Sequence, residues 1–286
     1  MPLLRFILNT ADGLTLHGQG WEPDTPPNAV VCLIHGLGEH CGRYDHVGEI
    51  FNEAGIALLA FDLRGHGRSE GRRGHAPSYT ALMADIALLL NEAASRYPNT
   101  PRFLYGHSLG GNLVIHHALT ERPPLAGVIA TAPLLRLAYN PPGWKTLLLR
   151  SMRALRINMA VSSGLDDTAL ARDINVVRTY RNDPLTHNRI TASLAVDMLR
   201  YGEWNLQHAA DFPCPLLLMH GGSDRITSVE ASREFASRTR ADCTLKIREE
   251  SYHELHNEPG KNQVLHTVVE WMEQHVRALN SESLVV

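Results

Sequence analysis

Phe103-Leu104-Tyr105-Gly106-His107-Ser108-Leu109-Gly110-Gly111 is an apolar run that ends in Gly-x-Ser-x-Gly, and Asn112 to Leu119 continues it with a helical pattern. A strand that turns sharply into a helix with serine at the bend is a nucleophile elbow. Such a bend strains the serine backbone, and the flanking glycines are needed because a Cβ would clash where strand and helix cross. The expected result is a Ser108 hydroxyl held at the carboxyl edge of a sheet, over the positive end of the following helix.

Working outward, the chain alternates buried strands with helices. Residues 29–34 and 56–61 are continuous apolar runs, as strands covered on both faces require. Residues 79–96 have helical spacing through Leu82, Ile86, Leu89 and Leu90. Further strands are expected at 128–130, 216–219 and 243–247, and a final helix at 261–279. Residues 3–8 and 14–22 read as an edge hairpin around Ala11-Asp12-Gly13. This order predicts an α/β fold with a mostly parallel central sheet flanked by helices. The alternation breaks between Pro133 and about His208, where helical patterns occur without a convincing strand. We read three parts: a core over 1–133, an inserted helical cap over 134–208, and the rest of the core over 209–286.

A serine hydroxyl needs a base to take its proton, and the base needs an orienting carboxylate. In this topology the order is serine, acid, histidine. Asp224 follows the strand at 216–219, and His253 lies in the loop after the next strand. These give Ser108 as nucleophile, Asp224 as acid and His253 as base. Asp224 could instead cap a turn, and His256 is a rival to His253. His253-Glu254-Leu255-His256 lacks the i, i+4 histidine spacing of the zinc motif, so neither a metal nor an organic cofactor is expected. The oxyanion of a tetrahedral intermediate needs two backbone N–H donors, for which Leu109 and Leu37 are placed after the elbow and the first central strand.

Composition narrows the setting. The 286 residues carry a net charge of −3, which argues against nucleic acid as a partner. Four scattered cysteines without paired spacing read as free thiols in a reducing, cytoplasmic compartment. No run approaches the length of a spanning helix.

His35-Gly36-Leu37-Gly38-Glu39-His40 with Gly42-Arg43-Tyr44, Gly65-His66-Gly67-Arg68-Ser69, the serine motif, and Tyr252-His253-Glu254-Leu255-His256-Asn257-Glu258 together carry a family resemblance. Tyr180-Arg181-Asn182-Asp183-Pro184-Leu185 adds a fifth match. The chain resembles α/β-hydrolases of the monoacylglycerol lipase and lysophospholipase branch over nearly its whole length. The resemblance implies hydrolysis of a lipid or small ester, most simply a monoacylglycerol, with lysophospholipids or general carboxylic esters as alternatives. It also implies a polar head-group pocket from Glu39, Arg43, His107, Tyr180 and His256. Glu39 and Arg43 could equally be a structural ion pair holding the oxyanion loop. Thr227 departs from relatives that carry a cysteine near the acid.

Residues 122–165 hold Arg122, Arg136, Lys145, Arg150, Arg153 and Arg156 and no acidic residue. With Leu148, Met152 and Leu155 at i, i+4 and i+7, a helix here would be amphipathic. It could pack on the core with solvated arginines, or give the cap transient contact with an anionic membrane surface. The protein is expected to be a monomer or homodimer, cytoplasmic or peripheral at membranes.

Overall fold

The computed structural model describes residues 3–155, 157 and 159–283. The chain runs β1 (Leu3–Asn9), β2 (Thr15–Trp21), β3 (Ala29–Ile34), α1 (Asp45–Glu53), β4 (Ile56–Phe61), α2 (Tyr79–Arg96), β5 (Arg102–His107), α3 (Leu109–Glu121) and β6 (Gly127–Thr131). After a long excursion come β9 (Leu216–Gly221), α7 (Val229–Arg238), β10 (Cys243–Arg248) and α8 (Lys261–Ser283). The excursion contains α4 (Gly143–Ala154), β7 (Ala160–Ser162), α5 (Ile174–Asn182), β8 (Arg189–Thr191) and α6 (Ala192–Gln207). Eight strands form one sheet in the order β1-β2-β4-β3-β5-β6-β9-β10. Strand β2 runs antiparallel to both β1 and β4, and the other pairs are parallel.

The continuous apolar strands are explained by two cores. Val30, Cys32 and Ile34 of β3 point into one, with Ala57, Leu59 and Phe61 of β4; α2, α3 and α7 cover that face. Val31 and Leu33 point into the other, with Leu58 and Ala60, under Val47 and Phe51 of α1 and Val268 and Met272 of α8. A strand sandwiched between helix layers has no solvent face, so the period-2 polar pattern disappears.

The excursion differs from the helical expectation in one respect: β7 and β8 pair antiparallel, Ala160 opposite Thr191 and Val161 opposite Ile190. Three residues per strand are too few for alternation to be legible, and the partners lie far apart in the chain. Helix α6 is anchored to the elbow helix through buried amides. Asn205 Nδ2 donates to Asn112 O at 3.1 Å, and Asn112 Nδ2 donates to Leu134 O at 2.6 Å and Met198 O at 3.0 Å.

Helix α4 also departs from the simple amphipathic pattern. Met152 is buried and Leu149 packs on the core, whereas Trp144, Leu147 and Leu148 are 65, 67 and 51% exposed. Leu155 lies beyond the helix end, where helical phase no longer sets its direction, and is exposed as well. Of the arginines, Arg136 pairs with Glu203 and Glu234, and Arg153 with Asp197 at 2.6 Å. Arg150 is exposed; Arg156 and the Lys145 side chain lie outside the described residues.

Candidate active site

Strand β5 delivers Ser108 into α3 with φ 55° and ψ −113°, outside the regions open to most L-residues. The strain is held by three backbone bonds: Ser108 N donates to Thr131 O at 3.0 Å, and Ser108 O accepts from Asn112 N at 3.0 Å and Leu134 N at 2.9 Å. The neighbouring glycines are required by space. A Cβ on Gly106 would sit 2.2 Å from Gly110 O, and one on Gly110 would sit 2.0 Å from Ile34 O. Helix α3 begins at Leu109, whose N–H is therefore among those with no acceptor inside the helix.

Asp224, in the turn after β9, lies with Oδ2 2.7 Å from His253 Nδ1. The carboxylate is densely donated to. Oδ1 accepts from Ile226 N at 2.7 Å and Thr227 N at 3.1 Å, and Oδ2 accepts the Thr227 hydroxyl at 2.8 Å. Burial pushes the Asp224 carboxyl upward, but the His253 charge and the hydrogen bonds from His220 and His253 outweigh it and hold the group ionised. For His253, burial acts downward, and the Asp224 charge and hydrogen bond, with Glu254 and Glu39 adding, raise it above 6.5. Asp224 thus has both the backbone bonds of a turn cap and the histidine contact that an orienting acid would need.

His256, the sequence rival, is fully buried behind His107 and has no hydrogen-bond partner among the described residues on either ring nitrogen. Its ring stacks on Tyr44 at 4.6 Å and stands edge-on to His107 at 4.8 Å. Burial pushes its imidazole down to about 3. His107 in turn faces the His253 ring at 4.8 Å and is driven well below its ordinary value by burial and by both neighbouring imidazoles.

The loop after β3 is built around Glu39. Its Oε1 accepts the Gly36 N–H at 2.6 Å and the Tyr44 hydroxyl at 3.0 Å, while Oε2 accepts from Arg43 Nη1 at 2.7 Å. Arg43 also grips Glu254 bidentately, both contacts 2.7 Å, and its guanidinium lies 5.0 Å from the Tyr180 ring centre. Burial favours the neutral acids, yet the Arg43 charge pulls both Glu39 and Glu254 below the usual carboxylate range. Arg43 is thus clamped between two carboxylates. With the Gly36 N–H occupied, Leu37 supplies the next backbone donor of the loop.

The excursion reaches over this loop. Gly38 O accepts from His187 N at 2.9 Å and from the Tyr180 hydroxyl at 3.2 Å, and His40 Nε2 meets Asp183 Oδ2 at 2.8 Å. A narrow cleft, open to solvent, results. Gly36, Leu37, Glu39, His107, Ser108, Leu165, Leu170, Tyr180, His253 and Glu254 line it. The sequence-derived Ser108, His253, Leu37, Glu39, His107 and Tyr180 therefore meet at one cleft, with Asp224 behind His253. Arg43 and His256 lie one layer back. Sequence reading missed Glu254, because its role depends on an arginine 211 positions away. It also missed His220, whose Nε2 lies 3.2 Å from Asp224 Oδ2. Among the described residues no cluster of His, Cys, Asp and Glu is arranged to hold a metal ion.

Comparison with known proteins agrees with this geometry. The family described as serine aminopeptidase, S33 (Hydrolase_4) matches residues 25–260. The chain is 34% identical to a monoacylglycerol lipase of Mycolicibacterium smegmatis, covering 90% of this chain and 92% of that protein. It is 40% identical to an uncharacterised abhydrolase domain-containing protein of Dictyostelium discoideum, covering 96% of this chain; the chain spans about 30% of that protein's length. The crystal structure of Paleococcus ferrophilus monoacylglycerol lipase superposes with a TM-score of 0.82 at 33% identity, covering 96% of this chain and 100% of that one. The elbow, the buried acid–histidine pair and these likenesses lead to one conclusion: the chain belongs to the serine aminopeptidase S33 family of α/β-hydrolases, on its monoacylglycerol lipase branch.

Proposed function

We propose that this serine hydrolase cleaves monoacylglycerols to fatty acid and glycerol through an acyl-enzyme on Ser108. The observation that carries the reading is the meeting of a strained Ser108 with an Asp224-oriented His253 in one cleft. His253 takes the Ser108 proton as the hydroxyl attacks the ester carbonyl. The Leu109 and Leu37 N–H groups receive the oxyanion, each such donor contributing about 2.7–4 kcal/mol. The imidazolium then gives its proton to the departing glycerol oxygen, and water repeats the cycle to free the acid. No step requires a cofactor.

The clamped Arg43 favours a neutral head group. Its donors face Glu39 and Glu254, so a phosphate would have to displace a buried carboxylate. That weighs against lysophospholipids. Leu37, Leu165 and Leu170 offer an apolar wall for the acyl chain, and Glu39, His107 and Tyr180 a polar end for glycerol. Residues 134–208 would serve as the cap over this cleft. Turnover of a monoacylglycerol chain-length series, compared with lysophosphatidylcholine and short p-nitrophenyl esters, tests the reading. Preference for the monoacylglycerols supports it; activity confined to the short esters replaces it with a general esterase.

The exposed Trp144, Leu147, Leu148 and Leu155, joined by Ile157 and Met159, support transient contact of the cap with a lipid surface. Because Arg136 and Arg153 are paired within the protein, apolar insertion dominates over charge. Co-sedimentation with zwitterionic vesicles is therefore expected, and Leu147→Ser with Leu148→Ser should reduce it several-fold. Binding that requires anionic lipid would reverse that order of contributions, and no binding would remove the contact. Four free thiols support a reducing, cytoplasmic setting; among the described residues no helix is long and apolar enough to cross a membrane.

A further inference from the structure

His220 closes strand β9 with its side chain turned toward α7, fully buried. Its Nδ1 lies 2.7 Å from Ser232 Oγ on α7. Its Nε2 lies 3.2 Å from Asp224 Oδ2, 3.3 Å from the Thr227 carbonyl oxygen and 3.2 Å from Thr227 Oγ1. The first two oxygens can only accept, given an ionised Asp224, and the Thr227 hydroxyl has its shorter bond, 2.8 Å, to Asp224 Oδ2. A bare Nε2 would set its lone pair against those acceptors in a dry interior, so Nε2 carries the proton. The Ser232 hydroxyl then donates to Nδ1. Asp224 Oδ2 thus receives donors from two imidazoles, His253 at 2.7 Å and His220 at 3.2 Å, as well as the Thr227 hydroxyl.

We propose that His220, fixed by Ser232, is a positioning residue for the acid of the triad: it shares the Asp224 oxygen with His253 and so tempers how strongly Asp224 holds the imidazolium. The inference rests on the triad reading given above. An oxygen that spends part of its lone-pair density on a second donor is a weaker acceptor for the first. The shared donor also keeps the carboxylate pointing at His253 when the Ser108 proton moves.

The other ionisable groups facing His253 are His107 at the end of β5, Glu254 and His256 in its own loop, and Glu39 after β3, with Arg43 between the two glutamates. His220 reaches His253 through Asp224 and through the Thr227 hydroxyl, which lies 3.2 Å from His220 Nε2 and 3.3 Å from His253 Nδ1.

The test is the pH profile of kcat/KM for the native protein, His220→Leu, His220→Gln and Ser232→Ala, each checked for folding by circular dichroism and for a competent Ser108 by fluorophosphonate labelling. The native acid limb should fall above pH 6.5. Without the His220 donor, Asp224 binds the imidazolium more tightly. The limb of His220→Leu should therefore move up by roughly 0.5 pH unit and kcat fall roughly tenfold. Glutamine can place an amide N–H near the lost Nε2–H and should restore the limb; Ser232→Ala, which removes only the hydroxyl facing Nδ1, should shift it in the same direction by less. A folded, labelled His220→Leu whose limb stays at the native pH overturns the proposal, as does a Gln variant no better than Leu. Failure of the native protein to label at Ser108 would instead defeat the triad reading itself.

Discussion

Replacing Ser108 with alanine is expected to lower ester hydrolysis by at least about 10⁴-fold, with folding and substrate binding retained. The side chain is short, and removing its Oγ leaves the strained backbone and its three hydrogen bonds in place. What remains is the contribution of the oxyanion donors and of binding. If the proposed triad of Ser108, His253 and Asp224 acts as one unit, a Ser108→Ala, His253→Ala double variant should be little worse than the single one. Asp224→Asn should cost about 10⁴-fold in kcat, since an amide N–H facing His253 Nδ1 selects the wrong tautomer. Active-site labelling and turnover of a monoacylglycerol measure all of these. Activity surviving in Ser108→Ala would sink the mechanism.

The largest effect on stability is expected at Arg43. Its side chain is 9% exposed, and those of the glutamates it joins are 4 and 2% exposed. Arg43→Met would leave two carboxylates facing each other without a cation. Removing one partner of a buried pair typically costs about 3–5 kcal/mol, and here one removal strands two charges. The pH dependence carries the sign. In the native protein Glu39 and Glu254 lie below their unfolded value, so their stabilisation is present above that value and disappears only as pH falls through the folded ones. In Arg43→Met the carboxylates should lie above it, so the variant gains stability as pH falls from about 7 toward about 5. Urea unfolding across this range checks the contrast: these carboxylates leave the native profile nearly flat there, whereas the variant should gain stability as pH falls. A variant that unfolds like the native protein but shows a raised KM would make Arg43 a substrate contact and not a clamp.

The same clamp shows why the head-group pocket was only partly legible. Glu39 and Arg43 stand four apart in a polar loop, and sequence alone leaves an ion pair and a pair of substrate ligands equally open. Glu254 favours the ion pair, since its bidentate pair of bonds to Arg43 and the Glu39 bond to Gly36 N–H engage those groups within the protein. The exposed face of α4 was misjudged for a related reason. Helical spacing groups Leu148, Met152 and Leu155, but only packing against α6 determines which side of that group is covered.

What the sequence by itself determined was the periodic and the local. Fully apolar six-residue strands, the 79–96 helix and the Gly-x-Ser-x-Gly bend each encode their structure within a few residues, because burial on two faces or a close backbone crossing dictates the residue type at each position. The order serine, acid, histidine then singled out Ser108, Asp224 and His253 as the candidates, of which the fold brings Asp224 within 2.7 Å of His253 and lines one cleft with Ser108 and His253. The tertiary structure alone decided what surrounds them: the three-residue β7–β8 pair, the Arg43 clamp, and His220 behind Asp224. Those contacts join residues far apart in the chain, through buried polar atoms whose partners are set by the packing of whole elements and leave no periodic trace in the sequence.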